Sequence, residues 1–226
     1  TFNAYMCFDD PESSKYLSKP VAKYFDASFV GNIASLTQYR SWGCKNVFFR
    51  PFGFSSLDIH NTVDEAFIKG VRKNIDVLFL GERVSPWRKE RLDYLVKNTN
   101  NLYAAGRGWD KGYINSSELP ALYRETRIGI NIHNSTGPIN LRTFTLPANG
   151  IMQICDNKYF LGHIFELDKE VVGYCDIEEV PELLKFYLSN DKLRQKIAFN
   201  GWKRAVSEYD EVKVWEKQMI QIAHLL

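Results

Sequence analysis

Apolar residues along the chain fall into short runs. Between them lie polar stretches with apolar positions at helical spacing, and that alternation predicts parallel strands joined by helices. Residues 3–8, 27–30 and 46–50 read as strands, with helices expected around 13–24 and 33–42. Asn32 can cap the second helix, Gly43 ends it, and Pro51 stops the third strand. Residues 51–75 are turn-rich and polar, with one helix expected around 63–72. A second series then begins, with strands expected at 76–81, 102–106, 128–132, 151–155 and 170–174. Its helices are expected from Pro86 to about residue 98, from Ser117 through Tyr123, over 180–188, from Asp191 through Trp202, and over the tail 211–226. The expected organisation is α/β: two Rossmann-like β/α/β units with a cleft between them. Residues 1–57 would form the first unit, 58–75 a linker, 76–208 the second unit and 209–226 a C-terminal helix.

The chemistry gathers in residues 131–150. A buried strand runs into a polar loop with Gly137 and Pro138, and a helix start follows. Asn140 is the expected N-cap, Leu141, Phe144 and Ala148 have helical spacing, and Asn149-Gly150 is a stop signal. The first N–H groups of a helix have no internal partner, so this junction suits an anion. Arg142 falls in the first turn, where the helix dipole disfavours a cation. A phosphate sharing the site would account for it, because a guanidinium binds phosphate oxygens as a fork. A polar strand-to-helix loop that binds nothing is the plainer reading.

Composition narrows the choice. With 29 basic and 27 acidic residues among 226, net charge is +2, and no basic block suggests a nucleic-acid groove. Hydrophobic residues at 45% and charged residues at 25% fit a globular protein, and no apolar run reaches transmembrane length. Cys7, Cys44, Cys155 and Cys175 form no C-x-x-C pair and have no His at metal-ligand spacing, so no metal is expected. Cys7 and Cys155 lie in apolar runs as reduced core thiols would, which favours a cytoplasmic location.

Ligands of open α/β sheets sit beyond the carboxyl ends of strands. Four polar clusters fall there: Asp9-Asp10, Glu82-Arg83, Arg107-Gly108 and the loop from His133 onward. Their shared position points to a phosphate-bearing ligand.

Several motifs resemble a known family. VLFLG at 77–81, SELPALY at 117–123, IGINIH at 128–133, GPINLRTF at 137–144 and ANG at 148–150 are similar to the C-terminal lobe of bacterial glycosyltransferases of the spore-maturation-protein type. DKEVV at 168–172, followed by two amphipathic helices, fits as well. FDDP at 8–11 and AKYFD at 22–26 resemble the later part of that family's N-terminal lobe. The resemblance implies a two-lobed GT-B fold, with a nucleotide-sugar donor on the C-terminal lobe and most of the acceptor on the other. It also implies an N-terminal lobe lacking its first elements, in keeping with a chain that opens on Thr1. Neither a bound metal nor a cofactor is expected. The implied partners are a nucleotide-diphosphate sugar and a saccharide, lipid-linked or protein acceptor. Relatives often carry a Glu just after the Phe of the NLRTF motif, placed to hold the donor ribose; here that position is Thr145. A hydroxyl cannot match a carboxylate gripping two hydroxyls. A non-catalytic nucleotide- or sugar-binding module on the same fold therefore stays open.

Roles follow from the implied reaction, transfer of a sugar to an acceptor hydroxyl as a diphosphate leaves. The backbone N–H groups of Leu141, Arg142 and Thr143, with the Arg142 side chain, are expected to stabilise the leaving charge. Arg83 or Arg88 would reach the diphosphate, although a solvated helix start is the simpler reading of Arg88. Gly81 would let the backbone approach the donor, or simply turn the chain. Arg107, Gly108 and Trp109 would flank the base, with Trp109 a stacking face or a core residue. His133 would touch phosphate or sugar, or be satisfied within the protein. Asn140 caps its helix first and contacts ligand second. Asp9 or Asp10 would act as general base on the acceptor, against the alternative of ordinary turn chemistry.

Overall fold

A computed structural model of the protein describes residues 1–8, 10–55, 59, 63–70, 73–133 and 139–226. The expected alternation takes the form of two parallel sheets. In the first, β1 (Ala4–Cys7), β2 (Ala27–Val30) and β3 (Val47–Phe49) lie in chain order. Every residue of β2 is buried, as a central strand requires. The segment expected as a helix over 13–24 is instead a π-helical turn, Ser14–Ser18, and a 3₁₀ turn, Ala22–Tyr24. Pro20 stands between them with no N–H to continue a helix. The next connection is a 3₁₀ turn, Ile33–Ser35, leading into α1 (Leu36–Ser41); Asn32 caps it, accepting from the Ala34 N–H at 3.1 Å.

The second sheet has five parallel strands: β4 (Ile75–Leu80), β5 (Leu102–Ala105), β6 (Thr126–Asn131), β7 (Met152–Cys155) and a short β8 (Val172–Gly173). Their order is β5-β4-β6-β7-β8. The chain leaves β4 for one side and returns on the other, so a topological switch point lies between β4 and β6, where open α/β sheets hold ligands. α2 (Glu65–Gly70) belongs to this unit, since Phe67 and Ile68 are buried in its main core. The stretch 58–75, expected as a linker, is thus anchored from α2 onward. The helices α3 (Pro86–Asn98), α7 (Val180–Ser189) and α8 (Asp191–Glu208) set Leu92, Leu95, Val180, Leu184 and Ile197 against Val77, Phe79, Ile128 and Ile130 of the strands. On the other face, α5 (Arg142–Ala148) packs Phe144 and Ala148 against Phe165 and Tyr209. The remaining short helices are α4 (Leu119–Arg124) and α6 (Lys158–Leu161).

α9 (Glu211–Ala223) returns to the first sheet. Arg50 Nε donates to Gln218 Oε1 at 2.6 Å, and the Arg50 guanidinium stacks 4.5 Å from the Trp215 ring. At the crossing, the Phe54 N–H donates to the Tyr209 carbonyl (3.0 Å) and the Glu211 N–H to the Phe54 carbonyl (3.1 Å). The four cysteines are free, with Cys175 alone exposed. Among the described residues, no helix is long and apolar enough to cross a membrane.

Candidate functional site

A cleft of about 500 Å³ lies between the two sheets, at the switch point. Phe8, Asp10, Asn32 and Phe52 line it from the first sheet, and Gly81, Glu82, Arg88, His133, Asn140 and Arg142 from the second.

Polar side chains at the end of β6 build its floor. Asn131 is fully buried; its amide pairs with that of Asn140 in both directions at 3.0 Å and also reaches Gln153 Oε1 at 3.2 Å. Asn131 Oδ1 accepts from Arg142 Nε (3.2 Å), and the Ile132 carbonyl from Arg142 Nη2 (3.3 Å). Gly81 leaves the room this guanidinium needs: a Cβ there would lie 3.1 Å from Arg142 Nη1. Asn140 is the cap expected of it, because its Oδ1 accepts from the Thr143 N–H at 3.2 Å.

Arg88 is buried, contrary to the simpler reading of it as a solvated residue. Pro86 opens α3, and the first turn carries Arg88 inward, where its Nη1 donates to the Glu82 carbonyl at 3.3 Å and its Nε has no partner among the described residues. Burial and the neighbouring Arg142 push its pKa down to about 10, with Asp156 and Glu82 pulling the other way. Arg142 is also lowered, chiefly by burial. Among the described residues, neither arginine has a carboxylate ion-pair partner. Two guanidinium groups desolvated together, one of them in the first turn of a helix, make a site with the chemistry to hold an anion.

His133 is buried at the cleft wall. Asp156, immediately after β7, accepts from its backbone N–H at 2.9 Å and bonds its Nδ1 at 2.5 Å. The carboxylate fixes the ring, and Nε2 has no partner among the described residues. His133, Cys155 and Asp156 bring potential ligand atoms within 4.8 Å of one another. That set does not suit a cation. Burial and Asp156 push the Cys155 thiol well above its ordinary range, so it stays protonated, and His133 Nδ1 and Asp156 Oδ1 already bond each other. Across the cleft Asp10 is buried; its Oδ2 accepts from Tyr39 Oη at 2.6 Å and its Oδ1 has no partner among the described residues. Burial and this bond raise the Tyr39 pKa, so the phenol stays a donor.

Several expected residues lie elsewhere. Arg83 pairs with Asp93 (Nε at 2.8 Å) and stacks 4.7 Å from the Trp109 ring. Trp109 Nε1 donates to the Gly81 carbonyl at 3.0 Å, and its ring packs on the core. Gly108 brings its backbone against Arg83, and Arg107 is exposed and paired with Glu82 at 2.8 Å. These four brace the loops after β4 and β5 and do not line the cleft. The Thr143 N–H, expected to face an anion, is taken by Asn140, and Leu141 is half exposed. The Thr145 hydroxyl, buried within α5, donates to the Leu141 carbonyl at 3.2 Å. Asp9 lies outside the described residues, as does the loop 134–138.

Beside the cleft is a smaller cavity of about 230 Å³ with largely apolar walls: Leu80, Ala105, Ile114, Leu119 and Tyr123. Gly106 makes its corner with φ +129°, and a Cβ there would lie 2.4 Å from the Gly81 carbonyl oxygen. A further cavity of about 250 Å³ opens at the opposite, amino ends of the strands, with Lys69, Lys73, Arg127 and Arg194 in its wall.

Sequence reasoning passed over Asn131, Asp156 and Tyr39. A signal existed for the first two: Asn131 interrupts an apolar run, and Asp156 ends one.

A glycosyl transferase-like family model matches residues 67–219. No curated protein matches the chain. Among solved structures, Anabaena HepE in complex with UDP-glucose superposes with a TM-score of 0.73 at 14% identity, over 98% of this chain and 72% of that one. Sucrose-phosphate synthase from Thermosynechococcus elongatus gives 0.66 at 12% identity, over 92% and 61% of the two chains. The pneumococcal O-GlcNAc transferase GtfA, in complex with UDP and GlcNAc, gives 0.64 at 11% identity, over 93% and 47%. The shared fold is the two-lobed GT-B architecture expected from the motifs.

Proposed function

The chain belongs to the glycosyl transferase-like family, and from that premise we propose that it moves a sugar from a nucleotide-diphosphate donor to an acceptor hydroxyl without a bound metal. One observation carries the reading. Three buried polar atoms without partners among the described residues, Asp10 Oδ1, Arg88 Nε and His133 Nε2, belong to residues lining a single cleft. Buried polar groups ordinarily have partners, so three together mark a site completed by a ligand. UDP-glucose and UDP in the GT-B neighbours supply a model for that ligand.

The nucleoside base enters the apolar cavity beside Tyr123 and Ile114, and the diphosphate lies against Arg88 and Arg142. In the reaction the acceptor oxygen bonds to the anomeric carbon as the bond from that carbon to the diphosphate oxygen breaks. The electron pair leaves on the diphosphate, where the two guanidinium groups stabilise it in place of a metal. His133 Nε2 contacts the phosphate or sugar, held by Asp156. Asp10 Oδ1 takes the acceptor proton. The acceptor is a saccharide, a lipid-linked glycan or a protein side chain.

The test is thermal stabilisation by UDP, GDP, ADP, TDP and CDP, with Arg142→Ala alongside. One nucleotide is expected to raise the melting temperature of the native chain, and Arg142→Ala to lose the effect. No shift near millimolar concentration would count against a donor site. The engaged hydroxyl of Thr145 favours a second reading, a binding module on the same fold. It predicts the same shift with no turnover of the matching nucleotide sugar.

A further inference from the structure

Resting on that reading of the cleft, we infer that Glu82 recognises the donor's ribose and sets the preference for a ribonucleotide over a deoxyribonucleotide. The charged cleft and the apolar cavity share three lining residues: Gly81, Glu82 and Arg142. A nucleoside diphosphate is linear in its chemistry, with a flat aromatic base whose faces suit apolar walls at one end, an anionic diphosphate at the other and the ribose between. When each end lies in the cavity of matching character, the ribose falls at the junction. Its distinguishing groups there are two vicinal hydroxyls, both able to donate.

Only one of the three junction residues is built to accept. Gly81 has no side chain and a guanidinium has donors alone, whereas a carboxylate offers two oxygens and about four lone-pair sites. Glu82 is held in place from both sides. Its Oε2 pairs with Arg107 at 2.8 Å and its Oε1 accepts from Tyr113 Oη at 3.3 Å, which leaves lone pairs on each oxygen. Those contacts orient the carboxylate without using it up. Thr145 does not compete for the role, since its hydroxyl is bonded to the Leu141 carbonyl and it lines neither cavity. The exposed Glu82–Arg107 pair has little to contribute as a stabilising contact. A position at the junction gives it a purpose.

The experiment is calorimetric titration of UDP, GDP and ADP, each against its 2′-deoxy and 3′-deoxy analogue. It uses the native chain, Glu82→Gln and Glu82→Ala. The native chain is expected to bind the preferred ribonucleotide roughly tenfold or more tightly than the deoxy forms, the scale of a hydrogen bond to a charged group. Glu82→Ala should bring that ratio near one while binding of the deoxy forms stays close to native, which also reports an intact fold. Glu82→Gln should fall between. A native chain indifferent to the missing hydroxyl, or a Glu82→Ala variant that keeps the native ratio, overturns the inference and leaves the donor site standing. If none of these three, CDP or TDP binds the native chain, the donor-site reading fails and this inference falls with it; a chain that binds TDP alone overturns the inference and leaves the donor site standing.

Discussion

The C-terminal unit gathers positive charge at both ends of its sheet, and the two ends differ in how that charge is met. At the amino ends, Lys69 pairs with Glu65, Arg127 with Asp76 at 3.1 Å and Arg194 with Asp191 at 2.5 Å. Lys73 is buried and donates to the Gly150 carbonyl at 3.1 Å. At the carboxyl ends, Arg88 and Arg142 have amide and carbonyl oxygens for partners and, among the described residues, no carboxylate ion pair. The amino-end cavity holds more cations, yet the carboxyl-end cleft is the better anion site. A count of basic residues does not find such a site; the lack, among the described residues, of an ion-pair partner for buried cations does.

The sharpest way to break the comparison is to neutralise each end. Replacing both Arg88 and Arg142 with Met should weaken nucleoside diphosphate binding by roughly a thousandfold in calorimetry, since each charge-assisted contact contributes about 1.5–3 kcal/mol. The same variant should be no less stable than the native chain in urea, because two desolvated charges that repel each other and form no ion pair among the described residues are replaced by apolar groups.

Lys73 gives a pH signature for the other end. Burial and the neighbouring Arg194 lower its folded pKa to about 8 from its ordinary 10.5. The folded state therefore loses this proton first. Between about pH 8 and pH 10.5 the unfolded chain holds more protons, and this residue makes stability rise with pH. The expected rise is on the order of 3 kcal/mol, and below pH 8 the residue adds no slope. Urea unfolding of the native chain and Lys73→Met across that window should differ by this slope; parallel curves would place the lysine in a wetter setting. Smaller again is Arg194→Met, which removes a buried bond to the Tyr187 carbonyl and the pair with Asp191. It should cost about 1–2 kcal/mol in urea unfolding and leave nucleotide affinity unchanged.

Arg83 and Arg88 mark where the sequence stops being readable. Both are basic and both follow β4. Arg83 turns back to Asp93, more than two helical turns along, and Arg88 turns into the cleft. Which way each points depends on how the loop and α3 dock on the sheet, a tertiary fact that local spacing does not carry. Most strands were legible because they are short apolar runs with Gly, Pro or Asp close to one end. Asn140 was legible because a cap depends on its immediate neighbours. Trp109 has both an apolar face and a donor, and only packing decides whether it offers the face to a ligand or to the core. Asp156 acts through His133, more than twenty residues away in the chain, so its role emerges only where β6 and β7 lie side by side.

The crossing near Phe54 has a mechanical meaning. The chain passes from the first sheet to the second after β3 and comes back between α8 and α9, and the two passages are hydrogen-bonded to each other where Phe54 meets Asp210. Two halves joined by a single thread can swivel in any direction. Two threads fastened side by side act as a pin: bending about them is easy and twisting is resisted. The fastened pair thus ties the two sheets together at one place, and Asp10 faces Arg88 and Arg142 across the cleft they flank.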